Sequence, residues 1–243
     1  MTTLVEKAYQ TIRRDIVRGA LGPGQPLRMA SLSQRCAMGF SPLREALTRL
    51  QSERLVVSVA MRGFRVAPLS VVEMWDATNT RIHIEVEALR LSIEQGDDAW
   101  EAGIVAAHHA LKRQAERAAQ LDDDEVTLLE VRHCAFHDAL IAACRSDWLL
   151  DFAQKLYVET ERYRYLMLAN RSGDRTRDIS DEHEQLMAAA LGRQSERACA
   201  LLRGHLHRTA VFLEGLMQLH AIPSGPDRPA RGFKTGSKKI DST

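Results

Sequence analysis

From Ser70 to about residue 220 the chain is almost free of helix breakers: after Pro68 the next proline is Pro223, and apolar residues recur at helical spacing. Such a stretch forms amphipathic helices that bury their apolar stripes against one another. "SVVE", Ser70 to Glu73, has the serine and glutamate of a capping box and opens a helix predicted to run to about Gln95. Further helices are predicted over 98–119, 123–145, 147–169, 180–192 and 195–220, with Ser146 as a cap. Short connections and the lack of a strand pattern describe an all-α bundle. The final "PSGPDRPARGFKTGSKKIDST" is rich in Pro, Gly, Ser and Lys, so residues 222–243 read as a disordered basic tail.

The first 69 residues differ in charge. They hold 11 Lys/Arg against 4 Asp/Glu, whereas residues 70–220 hold 17 against 26. A basic block beside an acidic body is the footprint of nucleic-acid binding when its fold can present the charge. In "VEKAYQTIRRDIVRGALGPGQPL", Ala8, Ile12, Ile16 and Val17 share one face of a helix ending near Gly19. A short second helix fits "MASLSQRCA", with Leu32 and Cys36 inward. "GFSPLREALTRLQSERL" makes the third, with Ser41 as N-cap, Pro42 in the first helical position and Leu43, Ala46, Leu47 and Leu50 as the buried stripe. The β-branched runs "LVVSV" and "FRVAPL", joined by "AMRG", read as a hairpin.

Three helices and a two-stranded wing make a winged helix-turn-helix. The expected fold class is therefore mainly α: a winged helix-turn-helix over 1–69, followed by an all-α bundle over 70–221. In this fold the third helix enters the major groove of double-stranded DNA. Ser41, Arg44, Thr48 and Arg49 are its candidate DNA-binding residues, and Arg44 on the first turn suits a guanine edge. Arg62 and Gly63, at the wing tip, are placed for the backbone or minor groove.

Within the bundle, "RHCAFHDAL" sets His133 and His137 four apart on one helical face, close enough to share a ligand. His183 opens the fifth helix of the body and His205 lies midway along the sixth. A pair from one helix and single histidines from two others is a usual way to build a metal site in a bundle. An all-imidazole set suits zinc, nickel or copper over magnesium or calcium. Spacing alone leaves the alternative open that these are surface or hydrogen-bonded core histidines. His83, His108, His109, His207 and His220 have no matching spacing and are expected to face solvent.

The N-terminal blocks "IVRGALGPGQPLR", "SPLREALTRL", "ERLV" and "RGFRVAPLS" resemble the GntR family of bacterial transcription regulators. One departure stands out: Gly39-Phe40-Ser41 occupies the place of the family's usual Ser-Arg-Thr, and Phe40 cannot donate to a phosphate or base. The body resembles the FCD ligand-sensing domain of the FadR-type subgroup, through Arg81 to Glu85, Phe136 and His137, His183 onward, and Leu201 to Leu206. That resemblance implies a divalent transition metal, zinc before nickel, on His133, His137, His183 and His205. It also leaves two forms of the site open, since position 133 is an aspartate in other members: a four-histidine set, or one with His133 outside the sphere.

The same resemblance implies a homodimer on operator DNA and a small carboxylic acid as effector. Arg81, Arg164 and Tyr165 are the implied effector-binding residues, although Arg81 reads equally as the i,i+4 partner of Glu85. "PLREAL", "RHCAFH" and "RYRYLML" bring the chain nearest to the glutarate-responsive members, so a dicarboxylate such as glutarate or 2-hydroxyglutarate, acting on a repressor, is expected.

A metal-dependent enzyme is the alternative for the histidine cluster. Against it, "HEQLM" has Met187 where H-E-x-x-H needs its second histidine, and there is no G-x-S-x-G, P-loop or G-x-G-x-x-G. No run approaches the ~18 apolar residues of a membrane span. The start "MTTLVEKAYQTIRRD" has no apolar signal-peptide core, and Cys36, Cys134, Cys144 and Cys199 are scattered, so a cytoplasmic protein with reduced thiols is expected.

Overall fold

The computed structural model describes residues 2–117, 123–169 and 178–219; the expected disorder of 222–243 lies outside the described residues. The chain opens with α1 (Leu4–Val17), where the Thr3 side chain accepts from the Glu6 amide at 3.1 Å and satisfies one of the helix's orphan donors. Then come β1 (Pro26–Leu27), α2 (Met29–Cys36), α3 (Phe40–Ser52), β2 (Val56–Val59) and β3 (Gly63–Val66). Ile12, Leu32, Leu43, Leu47, Leu50 and Val66 meet in one buried cluster that ties the three helices to the sheet. The predicted stripe of α3 is fully buried.

Two details of this unit differ from the sequence reading. Ser41 is not the N-cap of α3; the helix starts at Phe40, with Gly39 as an extended cap that makes no side-chain bond. Pro42 falls in the first turn, where amides have no intrahelical acceptor, so its missing N–H costs nothing and cannot mark the boundary. The wing is also a three-stranded sheet in the order β1-β3-β2, with Leu27 opposite Phe64 and Val56 opposite Val66. A two-residue strand has no alternation to read, and Pro26 suits the edge it occupies. The wing turn needs left-handed backbone at Met61 (φ 59°) and Gly63 (φ 77°), and only the glycine takes it without strain.

Ser70 caps α4 (Val71–Gln95), accepting from the Glu73 amide at 3.2 Å. The body continues with α5 (Asp98–Arg117), α6 (Asp123–Ile141), α7 (Asp147–Ala169), α8 (Ile179–Leu191) and α9 (Ser195–Leu219), matching the predicted helices to within a few residues. At the α4–α5 turn Gly96 is obligatory for a packing reason: a Cβ there would collide with the Trp100 ring and the Ser92 carbonyl. Leu89, Ile104, Phe136, Leu140, Leu186 and Leu202 form the centre of the bundle core. Losing one such large side chain costs about 2–5 kcal/mol. No helix among the described residues is long and apolar enough to cross a membrane.

Candidate functional site

The amphipathic periods of α6, α8 and α9 bring four histidines together. His133 and His137 come from α6, His183 from the first turns of α8 and His205 from the middle of α9; one ring nitrogen from each lies within 4.8 Å of the others. Ring centroids are 4.6 Å apart for His133 and His137 and 4.7 Å for His183 and His205. His137, His183 and His205 are buried, and His133 is nearly so. Burial first, and then the neighbouring histidines, hold His133 and His137 well below the ordinary histidine pKa of 6.5. The rings are therefore neutral at physiological pH, each with a lone pair to offer.

Neighbouring groups fix which nitrogen offers it. His205 Nδ1 donates to Glu182 Oε2 at 2.8 Å, and Glu182 Oε1 accepts from Arg208 Nε at 2.8 Å. The proton thus sits on Nδ1 and the lone pair on Nε2. His133 Nδ1 lies 2.9 Å from the Tyr157 hydroxyl. His137 has no hydrogen-bond partner at either ring nitrogen, although Nδ1 comes within 3.7 Å of Glu85 Oε2. A buried imidazole without a partner is costly unless something absent from the chain completes it. The donor set, its burial and the neutrality of His133 and His137 fit a transition-metal ion.

His133, His183 and His205 also line a cavity of about 180 Å³, several times the ~30 Å³ share of one water molecule. Its remaining walls come from α5, α6, α8 and α9, and are largely apolar. His108 is one of the lining residues. It was expected in solvent but is buried against Phe136, 5.5 Å between ring centroids, because α5 turns this face toward α6. His83, His109 and His207 are exposed, and His220 lies outside the described residues.

The expected effector-binding residues stand elsewhere. Arg81 donates Nε to Glu85 and stacks over Tyr157 at 4.6 Å, leaving Nη2 buried and unpartnered but outside the cavity lining. Arg164 donates to Glu130 Oε1 from Nε (2.9 Å) and Nη2 (2.6 Å), to the Thr160 hydroxyl and to the Tyr157 carbonyl. A buried guanidinium needs a carboxylate, and these two have one each. Tyr165 is half-buried and does not line the cavity. The i,i+4 alternative for Arg81 is the arrangement found. Glu130, Tyr157 and Thr160 gave no signal in the sequence, because their role depends on α6 and α7 meeting across the bundle.

On the winged helix, Ser41, Arg44 and Thr48 are exposed along α3, and Arg62 is exposed at the wing turn beside Gly63. Thr48 returns its hydroxyl to the Arg44 carbonyl at 3.0 Å. Arg49 turns the other way: it lies 3.7 Å over the Tyr9 ring and donates to Glu6 at 2.8 Å, so it braces α3 against α1.

Comparisons with known proteins agree with this layout. The signature of "Bacterial regulatory proteins, gntR family" matches residues 4–66, and that of the FCD domain matches residues 76–208. The HTH-type transcriptional repressor GlaR of Escherichia coli (strain K12) is 39% identical over 209 residues, covering 85% of this chain and 94% of the relative. The regulator BphR of Paraburkholderia xenovorans (strain LB400) is 40% identical over 208 residues, covering 84% and 82%. Among solved structures, Escherichia coli McbR/YncC shares the fold with a TM-score of 0.71 over 88% of this chain and 99% of that one, at 20% identity. Some FCD domains bind a metal, and this chain has a histidine cluster able to do so. The relatives are transcription regulators, which removes the enzyme alternative. With a winged helix at one end and a helical sensor bundle behind it, the chain belongs to the GntR family of bacterial transcription regulators, in the branch that carries an FCD domain.

Proposed function

We propose that this protein is a ligand-released repressor, a homodimer that holds a short palindromic operator and lets go when a small dicarboxylate such as glutarate or 2-hydroxyglutarate fills the cavity. The observation that carries the effector half is the convergence of four histidines from three helices; three of the four, His133, His183 and His205, line that cavity. His133, His137, His183 and His205 are the residues that would hold a divalent transition metal, zinc first and nickel next. When bound, such an ion supplies a Lewis-acidic centre on which a carboxylate can sit. Arg81 and Arg164, neutralised by Glu85 and Glu130, shape the electrostatics behind the histidines. The repressor sign is supported by GlaR, which is a repressor.

Ser41, Arg44 and Thr48 on α3 and Arg62 and Gly63 on the wing form the DNA face in this reading. Two such faces related by a twofold axis read a palindrome. Release runs through α7. On one side Tyr157, Thr160 and Arg164 pack behind the histidines. On the other, Arg162 donates to the Ala67 carbonyl at 3.0 Å and Glu161 pairs with Arg13 of α1. One rigid helix therefore touches both the sensor and the winged helix.

The test is the melting temperature of the purified protein with glutarate, before and after stripping with a chelator. A ligand that binds only the folded state raises it by mass action. A rise that vanishes on stripping is the expected result. A rise unaffected by stripping separates the effector from the histidines, and no rise with glutarate or 2-hydroxyglutarate removes the dicarboxylate reading.

A further inference from the structure

The cavity lining carries two chemically distinct kinds of polar group. Three are histidines of the cluster, His133, His183 and His205; the other is Lys112 of α5, whose side chain is 43% exposed. Among the described residues that line the cavity, Lys112 is the only lysine or arginine. Leu111, Leu129, Ile179 and Leu206 add apolar walls. The one carboxylate among the described lining residues, Glu130, already accepts two bonds from Arg164. Histidines able to ligate a metal, apolar walls and a half-exposed ammonium on one cavity suit a ligand with two anionic groups joined by methylenes.

Burial decides which cation can take a ligand carboxylate. Lys112 Nζ now sits 3.1 Å from Glu184 Oε2, a pair with both side chains near half exposure. Such surface pairs are weak, so exchanging Glu184 for a ligand carboxylate costs little. The Arg81–Glu85 and Arg164–Glu130 pairs are buried, and breaking a pair of that kind leaves an uncompensated buried charge.

We propose that Lys112 is the anchor for one carboxylate of the effector, taking it in place of Glu184 while the other carboxylate rests at the histidines. This rests on the effector reading above and deepens it: Lys112, not Arg81 or Arg164, makes the protein prefer a dicarboxylate over a monocarboxylate of the same length.

The experiment is calorimetric titration of the full-length protein with glutarate and, separately, with pentanoate, which keeps the carbon count and lacks the second anion. Lys112→Met should lower the glutarate-to-pentanoate affinity ratio about tenfold, as expected for loss of one charged hydrogen bond. Lys112→Arg should restore the preference, since it returns the charge at that position. A ratio unchanged by Lys112→Met overturns the subsite while leaving the effector reading in place. Wild-type protein that binds neither acid overturns the effector reading and the subsite with it. Lys112 lies at the surface, so a matching melting temperature of the variants will show that they fold.

Discussion

Arg44 and Arg49 lie five residues apart on α3 and have different work. Arg44 is exposed on the face that carries Ser41 and Thr48, whereas Arg49 is stacked on Tyr9 and bonded to Glu6. Arg44→Ala should weaken operator binding by about tenfold or more, in line with ~1–3 kcal/mol for a bidentate base contact, and leave the melting temperature unchanged. Arg49→Ala should instead destabilise the fold by about 0.5–1 kcal/mol, the scale of an exposed cation–π contact. Mobility shift and denaturant titration on both variants separate the roles, and a stable Arg44→Ala protein that still binds DNA at wild-type affinity would mean that α3 is not the reading helix. The sequence leaves both arginines off the buried stripe of α3 without saying which of them meets DNA. Their difference comes from α1, which packs along one flank of α3 and captures whichever arginine points toward Tyr9.

At the scale of elements, α7 is the part whose function depends most on contacts at both its faces. Its pairing with Arg13, and the ion pair of Glu159 with Arg54 at 3.6 Å, join it to the winged helix. Tyr163 adds hydrogen bonds with the Ser70 backbone at the start of α4. Replacing Glu161 by alanine should leave glutarate affinity within about twofold of wild type and raise the concentration needed for half release from DNA by about fivefold, the lower end of ordinary coupling energies. Titrating effector into a preformed protein–operator complex measures this, and an unchanged release midpoint would take α7 out of the coupling route. None of this is written in local periodicity. The repeat of α7 predicts a helix correctly, but "ERYRYLM" offers five polar residues in a row, and only packing tells Arg162, turned to the linker, from Arg164, turned to Glu130.

For the whole molecule, the buried histidines tie stability to pH. His133 and His137 have folded pKa values depressed below 6.5, so the unfolded chain binds more protons than the folded one under acid. Stability is then complete above the unfolded value and falls as pH drops below it, by at most about 1.4 kcal/mol per pH unit for each ring. Denaturation of metal-stripped protein at about pH 7.5 and about pH 5.5 should show a clear loss at the lower value, within the limit set by linkage. Equal midpoints would mean that the rings are not buried as neutral bases.

The sequence by itself determined the winged helix, the helical bundle and the i,i+4 pair His133 and His137. These are carried by short-range signals: 3.6-residue spacing, a capping box, a hairpin between β-branched runs, and a four-residue interval. That His183 and His205 join the pair is implied by resemblance and is seen only in the packed bundle. Tertiary structure decided the rest. It set the start of α3 at Phe40, added β1 to the wing, brought His108 inside, gave Arg81 and Arg164 their carboxylates and put Lys112 in the cavity lining. The physical reason is the same in each case. A helix's existence follows from its own residues, whereas the charge partner of a buried side chain is supplied by another element, and the desolvation cost that demands that partner exists only once the elements have packed.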